Sequence, residues 1–187
     1  MGRPKQLLPV GNTPLICRIL GEALSSRLER IVVVLGHRAK EVARVIAQHY
    51  PKGGYEVIVN DKYAEGMASS IRTGINFIKD DYEHAMVLLA DMLHIDSQLI
   101  NRLLKNYLPS GKALGAITIN GRRSHPVIFR RDLYQDLLSL KGDTGARALF
   151  TTLEGQVCLV PAGPGYQEMD VDTPEDYGRL ILPKAPQ

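Results

Sequence analysis

The strongest candidates for chemistry in this sequence are carboxylates that follow strand-like apolar segments, where they could bind a metal ion. Asp91 comes directly after the apolar run 86–90, and Asp170 and Asp172 stand at the end of a second strand-like segment. In an open parallel sheet, ligands gather beyond the carboxyl ends of the strands. Oxygen ligands are what Mg²⁺ prefers, and waters or substrate phosphates complete its coordination. The spacing therefore predicts a Mg²⁺ site, and helix capping is the competing interpretation for each aspartate.

The segment that follows Asn60 has residue types that bind an anion or a sugar. Asn60 ends a predicted strand, and residues 65–74 begin the following helix with a glycine and two serines. Such a helix start presents backbone N–H groups and hydroxyls to an anion. The competing interpretation is a simple serine cap with Met67 in the core.

Three further positions allow either a chemical or a structural interpretation. Lys5 leads into an apolar segment, where its ammonium could neutralise the charge of a triphosphate, although spacing alone favours a solvated lysine. His125 lies in a polar connection between two predicted strands, where a surface histidine is the commoner outcome. In the segment 142–147, Asp143 is expected to cap a helix, with Arg147 pointing to solvent.

The elements that must position these residues follow from the alternation of apolar patterns. Runs of strand length alternate with segments of helical period, which indicates an α/β fold with a mainly parallel sheet flanked by helices. Two closely spaced strands, 113–119 and 126–129, predict a small antiparallel hairpin inserted into that scheme. We expect a single domain over 1–182 and a C-terminal tail over 183–187. The other predicted strands are 31–35, 55–59, 85–90, 157–160 and 168–171, and the predicted helices lie around 12–24, 42–46, 67–78, 96–104, 133–140 and 146–153 and from Thr173 onward.

Composition limits the classes of partner. The 187 residues carry 23 basic and 20 acidic side chains, and no basic run is long enough to bind nucleic acid by charge. No apolar stretch is long enough to span a bilayer and no signal region follows Met1, so we expect no membrane partner and a cytoplasmic protein. Neither a G-x-x-x-x-G-K-[ST] loop nor a G-x-G-x-x-G fingerprint occurs, which argues against the ATPases and dehydrogenases that use them.

Six segments, in order along the chain, resemble known signatures. Residues 1–8, 65–72, 88–92, 124–127, 142–147 and 170–176 resemble, respectively, M-G-x-P-K-x-L-L, G-M-x-x-S, an element that contains D-M, G-H-P-V, G-D-x-G-A-R and D-[IV]-D-T-P-E-D. The chain therefore resembles the molybdenum-cofactor cytidylyltransferases, a family within the MobA-like NTP transferases, over nearly its whole length. Leu93 stands where a proline is usual, and Ser124 stands where a glycine is usual.

The resemblance implies a Rossmann-like nucleotidyltransferase fold and an enzyme that uses Mg²⁺. In the implied reaction, the terminal phosphate of molybdopterin attacks the α-phosphate of CTP, so that CMP is transferred and pyrophosphate leaves. Lys5 and Asp91 would be catalytic, and Asp91 and Asp172, with Asp170 as a further candidate, would bind the metal. The resemblance also implies two sets of binding residues. The residues implied to bind the nucleotide are Lys5, Asn60, Gly66, Met67, Ser69 and Ser70. The residues implied to face the pterin are His125, Gly142, Asp143 and Arg147.

One departure bears on activity. Members of the family begin with an apolar strand that runs into L-A-A-G-x-S-x-R, and this sequence begins after that point. We therefore expect weak or absent CTP turnover by the chain as written, and a homodimer that covers the exposed sheet edge. An alternative is a non-catalytic accessory protein that binds the cofactor for a molybdenum hydroxylase of the xanthine dehydrogenase type. A third hypothesis is transfer of a nucleotide to another small phosphate.

Overall fold

The computed structural model describes residues 4–143 and 145–166 of the chain. The strands are β1 (Pro9–Val10), β2 (Thr13–Pro14), β3 (Val32–Leu35), β4 (Glu56–Val59), β5 (His84–Val87), β6 (Leu114–Ile119), β7 (Arg122–Arg130) and β8 (Val157–Pro161). The α-helices are α1 (Leu15–Leu24), α2 (Ala39–His49), α3 (Met67–Ile78), α4 (Ser97–Tyr107), α5 (Tyr134–Leu138) and α6 (Arg147–Thr152). Short 3₁₀ helices occupy Lys5–Leu7, Tyr63–Glu65, Leu108–Ser110, Arg131–Leu133 and Glu154–Gln156.

The strands of the described residues form three sheets. β1 pairs with β2, and β3 pairs in parallel with β4. The larger sheet has the order β5–β7–β6–β8, in which β7 is antiparallel to both neighbours and β6 is parallel to β8. β5, β6 and β8 therefore share one direction, and β7 is the reversed strand between two of them. The α/β fold class is confirmed, with a mixed sheet.

Helices cover both faces of the larger sheet because successive side chains of a strand point to opposite faces. Ile128 of β7 packs with Leu99 and Leu103 of α4 on one face. Its neighbours Val127 and Phe129 pack on the other face, against a cluster to which α3, α5 and α6 contribute Ile75, Leu137 and Phe150. A third cluster joins β3 to α1 and α2 through residues that include Ile16, Val33 and Ile46.

The turn of the β6–β7 hairpin is only two residues long. Asn120 and Gly121 connect the strands with φ angles of 51° and 75°. A two-residue hairpin turn with positive φ at both positions favours Asn-Gly. β7 therefore begins at Arg122, and the prediction that His125 lies in a loop is wrong, because His125 is a partly buried residue of β7.

The end of β5 also differs from the prediction. The strand was expected to reach Ala90, and it ends at Val87, which pairs with Val127 of β7. In that register the next residue, Leu88, would lie opposite Pro126, which has no N–H group to donate to a ladder. Asp91 consequently lies in a turn that follows the strand rather than directly at the strand's end.

Helix bounds follow the sequence pattern most closely where one face is strictly apolar. α3 spans the predicted residues 67–78, and Asp96 caps α4 as predicted, since its Oδ1 accepts a hydrogen bond from Leu99 N at 2.7 Å. α1 begins at Leu15 rather than near Asn12, because Thr13 and Pro14 are paired in β2. The predicted strand 168–171, the final helix, Asp170 and Asp172 lie outside the described residues.

Among residues 4–143 and 145–166, no helix combines the length and the apolar character that crossing a membrane requires.

Gly115 of β6 is packed so tightly that adding a single methyl group should destabilise the fold. A Cβ atom there would lie 2.7 Å from Cδ2 of Tyr107, a ring that is 1% exposed. We expect Gly115→Ala to lower the free energy of unfolding by about 1–3 kcal/mol, because the ring cannot move without disturbing the core. Chemical denaturation with circular dichroism measures the change.

Gly155→Ala is the matched control for this substitution. No heavy atom lies within 4 Å of a Cβ atom at Gly155, so we expect a change within about 0.5 kcal/mol. Equal stability of the two variants would contradict the tight contact between β6 and α4.

Candidate functional site

Lys5 and Asp91 form a direct ion pair between segments far apart in the chain. Lys5 Nζ donates a hydrogen bond to Asp91 Oδ2 at 3.0 Å, and the two residues are 86 positions apart. Hydrophobic neighbours hold the two segments: Leu7 and Ala90 both pack against the cluster built on β3. The side chains are 31% and 35% exposed, so a ligand in solvent can reach both charged groups.

Asp91 could supply one of the ligands of a divalent cation. The described residues contain no group of three His, Cys, Asp or Glu side chains that could hold a metal, and Asp170 and Asp172 lie outside them. Mg²⁺ is commonly held by one or two carboxylates, with waters and substrate phosphates as its other ligands. The accessible carboxylate of Asp91 is therefore suited to supply one protein ligand to a metal that arrives with phosphates.

Asn60 is the centre of a buried hydrogen-bond network. Its Nδ2 donates to Ser69 Oγ at 2.7 Å and to Ser70 Oγ at 3.1 Å, and its Oδ1 accepts from Lys62 N at 3.0 Å. Asn60 and Ser69 are only 3% and 2% exposed. Asn60 therefore orders the first turn of α3 rather than presenting its amide to solvent.

The serine-cap interpretation of this turn is wrong. Ser69 Oγ donates to Gly66 O at 2.8 Å, and no serine accepts a hydrogen bond from the first N–H groups of α3. Met67 is 45% exposed and so is not a core residue. Gly66, Met67 and Ser70 are the members of the predicted nucleotide-binding segment that solvent reaches.

The start of α3 is instead capped by a loop from elsewhere in the chain. Asp143 Oδ1 accepts from Met67 N at 2.9 Å, and Gly142 O accepts from Ala68 N at 3.0 Å. The prediction that Asp143 caps the helix of its own segment is wrong, because α6 begins at Arg147 after Ala146 and has no side-chain cap. The predicted nucleotide-binding and pterin-facing segments are therefore in direct contact.

Gly66 is required by this contact. Its φ angle is 95°, in the region that favours glycine, and a Cβ atom there would lie 2.8 Å from the backbone carbon of Gly142. A side chain at residue 66 would push the capping loop away from α3.

Arg72 is a residue to which the sequence analysis assigned no role. Its Nη2 donates to Glu65 Oε2 at 2.7 Å, and its Nη1 donates to Leu140 O at 2.5 Å. Arg72 thereby ties α3 to the chain that leads into Gly142. Two open grooves of about 470 and 420 Å³ meet at Arg72; the first is lined by residues that include Glu65 and Gly142, and the second by residues that include Asn60 and Ser69. The position of Arg72 within segment 65–72 was the available signal.

His125 and Arg147 lie on two different elements, a strand of the larger sheet and a helix that packs against it. His125 belongs to β7, and Arg147 is the first residue of α6. Arg123 of β7 also contacts α6, since its guanidinium carbon lies 4.3 Å from the centroid of the Phe150 ring.

The model of one protein family, described as the MobA-like NTP transferase domain, matches residues 1–157. The chain belongs to this family. The match includes the Lys5–Asp91 pair and the capped start of α3, so the described geometry is that of a nucleotidyltransferase fold.

Individual relatives are similar to this chain over nearly its whole length. The chain is 29% identical to nicotine blue oxidoreductase of Paenarthrobacter nicotinovorans, over 97% of this chain and 90% of the relative. It is 25% identical to the purine catabolism protein PucB of Bacillus subtilis, over 95% and 87% of the two chains. The crystal structure of Rv0371c of Mycobacterium tuberculosis in complex with manganese superposes with a TM-score of 0.80, at 24% identity, over 96% of this chain and 92% of that one.

The cap at the start of α3 can be tested by removing its acceptor. Asp143→Ala leaves Met67 N without its partner, so we expect the free energy of unfolding to fall by about 1 kcal/mol. Asp143→Asn keeps a side-chain oxygen in place and should lose less. Denaturant titrations measure both, and an equal loss in the two variants would mean that the charge of Asp143, not its hydrogen bond, stabilises α3.

Proposed function

We propose that this chain is a cytidylyltransferase that transfers CMP from CTP to the terminal phosphate of a molybdopterin-type acceptor. The observation that carries the proposal is the accessible Lys5–Asp91 pair, which puts an ammonium 3.0 Å from a carboxylate oxygen. Nucleotidyl transfer needs positive charge and an oxygen ligand at one place, because charge on the phosphates must be neutralised while they are aligned.

In the proposed reaction, an oxygen of the acceptor phosphate forms a bond to the α-phosphorus of CTP, and the bond from that phosphorus to the bridging oxygen of the β-phosphate breaks. Pyrophosphate leaves with that oxygen. The attacking phosphate is already anionic, so the protein needs no general base, and positioning supplies most of the catalysis. A bound Mg²⁺ would stabilise negative charge on the phosphates.

Each part of the site then has a role in positioning. Lys5 contacts the phosphates, and Asp91 orients that ammonium and supplies a ligand to the metal, with Asp172 and Asp170 as proposed further ligands. Gly66, Met67 and Ser70 border the nucleotide, and buried Asn60 and Ser69 fix their conformation. His125, Gly142, Asp143 and Arg147 are proposed for the pterin side. The direct hydrogen bond from Met67 to Asp143 supports placing the two substrates next to each other.

Two alternatives share the fold. A cofactor-binding accessory protein for a molybdenum hydroxylase is favoured by the relative named for purine catabolism, since xanthine-type hydroxylases act on purines. Transfer of a nucleotide to another small phosphate uses the same Lys5–Asp91 pair. The relative named as an oxidoreductase adds a dinucleotide to the ligands worth testing.

Ligand-dependent melting tests which nucleotide, if any, the chain binds. With Mg²⁺ present, we expect CTP to raise the melting temperature more than GTP, ATP or NADPH, because a ligand that binds only the native state stabilises it. A shift with NADPH alone would favour the oxidoreductase reading. No shift with any nucleotide would overturn the nucleotidyltransferase proposal for this chain.

The role of Asp91 has a sharper test. We expect Asp91→Asn to reduce Mg²⁺-dependent release of pyrophosphate from CTP and the acceptor by about 100-fold or more, since the substitution removes the charged metal ligand. Stability should change by less than about 1 kcal/mol, because the ion pair with Lys5 is partly exposed.

Asp80→Asn is the matched control, because Asp80 is exposed and its ion pair with Lys79 is long, at 3.7 Å. It should retain full activity. If Asp91→Asn also retained activity, Asp91 would be removed from the site.

A further inference from the structure

Two arginines stand where β7 meets α6, one on each element. Arg123 lies with its guanidinium carbon 4.3 Å from the centroid of the Phe150 ring. Arg147 stands three residues before Phe150 in α6, and residues three apart in a helix share one side of it. Both arginines are exposed, so a ligand in solvent can reach them.

The charges of these two arginines are not compensated within residues 4–143 and 145–166. The arginines that form ion pairs there are Arg30, Arg38, Arg72, Arg130 and Arg131. Arg123 and Arg147 have no acidic side chain within 4 Å in that part of the chain. Partial burial, and after it the positive charge of Arg147, lower the pKa of Arg123. The positive charge of Arg147 therefore disfavours the charged form of Arg123, and a bound anion would offset that repulsion.

The Phe150 ring that Arg123 contacts is well packed. The rings of Phe150 and Phe129 meet edge to face, with centroids 5.7 Å apart, and both residues are buried. Arg123 lies opposite Thr118 in the β6–β7 ladder, so its backbone is fixed as well. A planar guanidinium that is held against a ring offers a forked set of donors with little loss of rotamer freedom, which suits phosphate.

We propose that Arg123 and Arg147 form an anion site for a phosphate group of the acceptor substrate. The identity of the acceptor rests on the proposed function, whereas phosphate binding by the two arginines does not. The site adds Arg123, to which the sequence analysis gave no role, and it makes β7 and α6 part of the acceptor's binding surface.

The test uses the whole chain and inorganic phosphate, titrated by calorimetry at constant ionic strength. We expect Arg123→Gln and Arg147→Gln each to weaken phosphate binding about tenfold, because each removes a charge-assisted hydrogen-bond donor set. Arg122→Gln is the matched control, since Arg122 is the exposed neighbour on β7, and it should bind phosphate as the original chain does.

A second measurement separates a ligand site from a structural contact. In phosphate-free buffer, Arg147→Gln should melt at the same temperature as the original chain or higher, because it relieves repulsion between two cations. A lower melting temperature together with unchanged phosphate affinity would mean a structural role and would overturn the proposal.

Other outcomes are equally decisive. Equal loss of binding in Arg122→Gln would indicate general surface charge, and loss in Lys5→Gln instead of the Arg123 and Arg147 variants would assign phosphate to the nucleotide end of the site; either result overturns the anion site. If phosphate binding depends on Arg123 and Arg147 but no nucleotide shifts the melting temperature, the anion site stands and the proposed transferase reaction fails.

Discussion

The first turn of α3 is the constraint around which the candidate site is built. The opening N–H groups of any helix have no partner inside the helix and must find acceptors elsewhere. Here Asp143 and Gly142 supply two of them, from 76 residues away in the case of Asp143. Gly66 is needed because only a residue without Cβ lets the loop approach this closely. Asn60 then fixes the serines that follow.

This capping arrangement also changes what α3 can offer to a ligand. Two of its leading donors are already used by the protein, so an anion would meet the exposed side of the turn, at Gly66 and Ser70, rather than an uncapped helix end. The charged groups for phosphates must therefore come from side chains. The Lys5–Asp91 pair supplies them at one place. Arg123 and Arg147, which form no ion pair within residues 4–143 and 145–166, are the groups proposed at another. Two separate groups of charged side chains are what the proposed reaction, with its two phosphorylated substrates, requires.

Local pattern was enough to predict most elements, and non-local geometry accounts for the errors. The bounds of α3 and the cap of α4 by Asp96 could be predicted because they depend on residues within one or two turns. The end of β5 depends on the register that places Pro126 opposite the next residue, and that register cannot be read from β5 itself. The hydrogen bond from Met67 N to Asp143 could not be predicted either, because the two residues are 76 positions apart in the chain. The Asn-Gly turn at residue 120 was a local signal that the strand pattern obscured.

Among the site residues as well, local sequence indicated some residues, and others became recognisable only through contacts with distant parts of the chain. Asp91 and the segment that begins at Gly66 could be selected from residue type and position, and family resemblance was needed to favour Lys5. Arg72 stands in the matched segment 65–72, but neither route assigned a role to it or to Arg123, because their importance comes from contacts with Leu140 and Phe150 on other elements. An arginine in a sequence is most often a solvated residue, and only packing distinguishes the exceptions.

The shortness of α6 has a consequence for its motions. A helix of six residues does not persist by itself in water, so α6 depends on the anchoring of Phe150 against Phe129. Short helices that depend on tertiary packing can open locally more often than the whole protein unfolds. An anion bound at the proposed Arg123–Arg147 site would stabilise the packed state of α6, because a ligand that binds only an ordered state favours that state. Ordering of α6 and binding of the proposed ligand would then be thermodynamically linked.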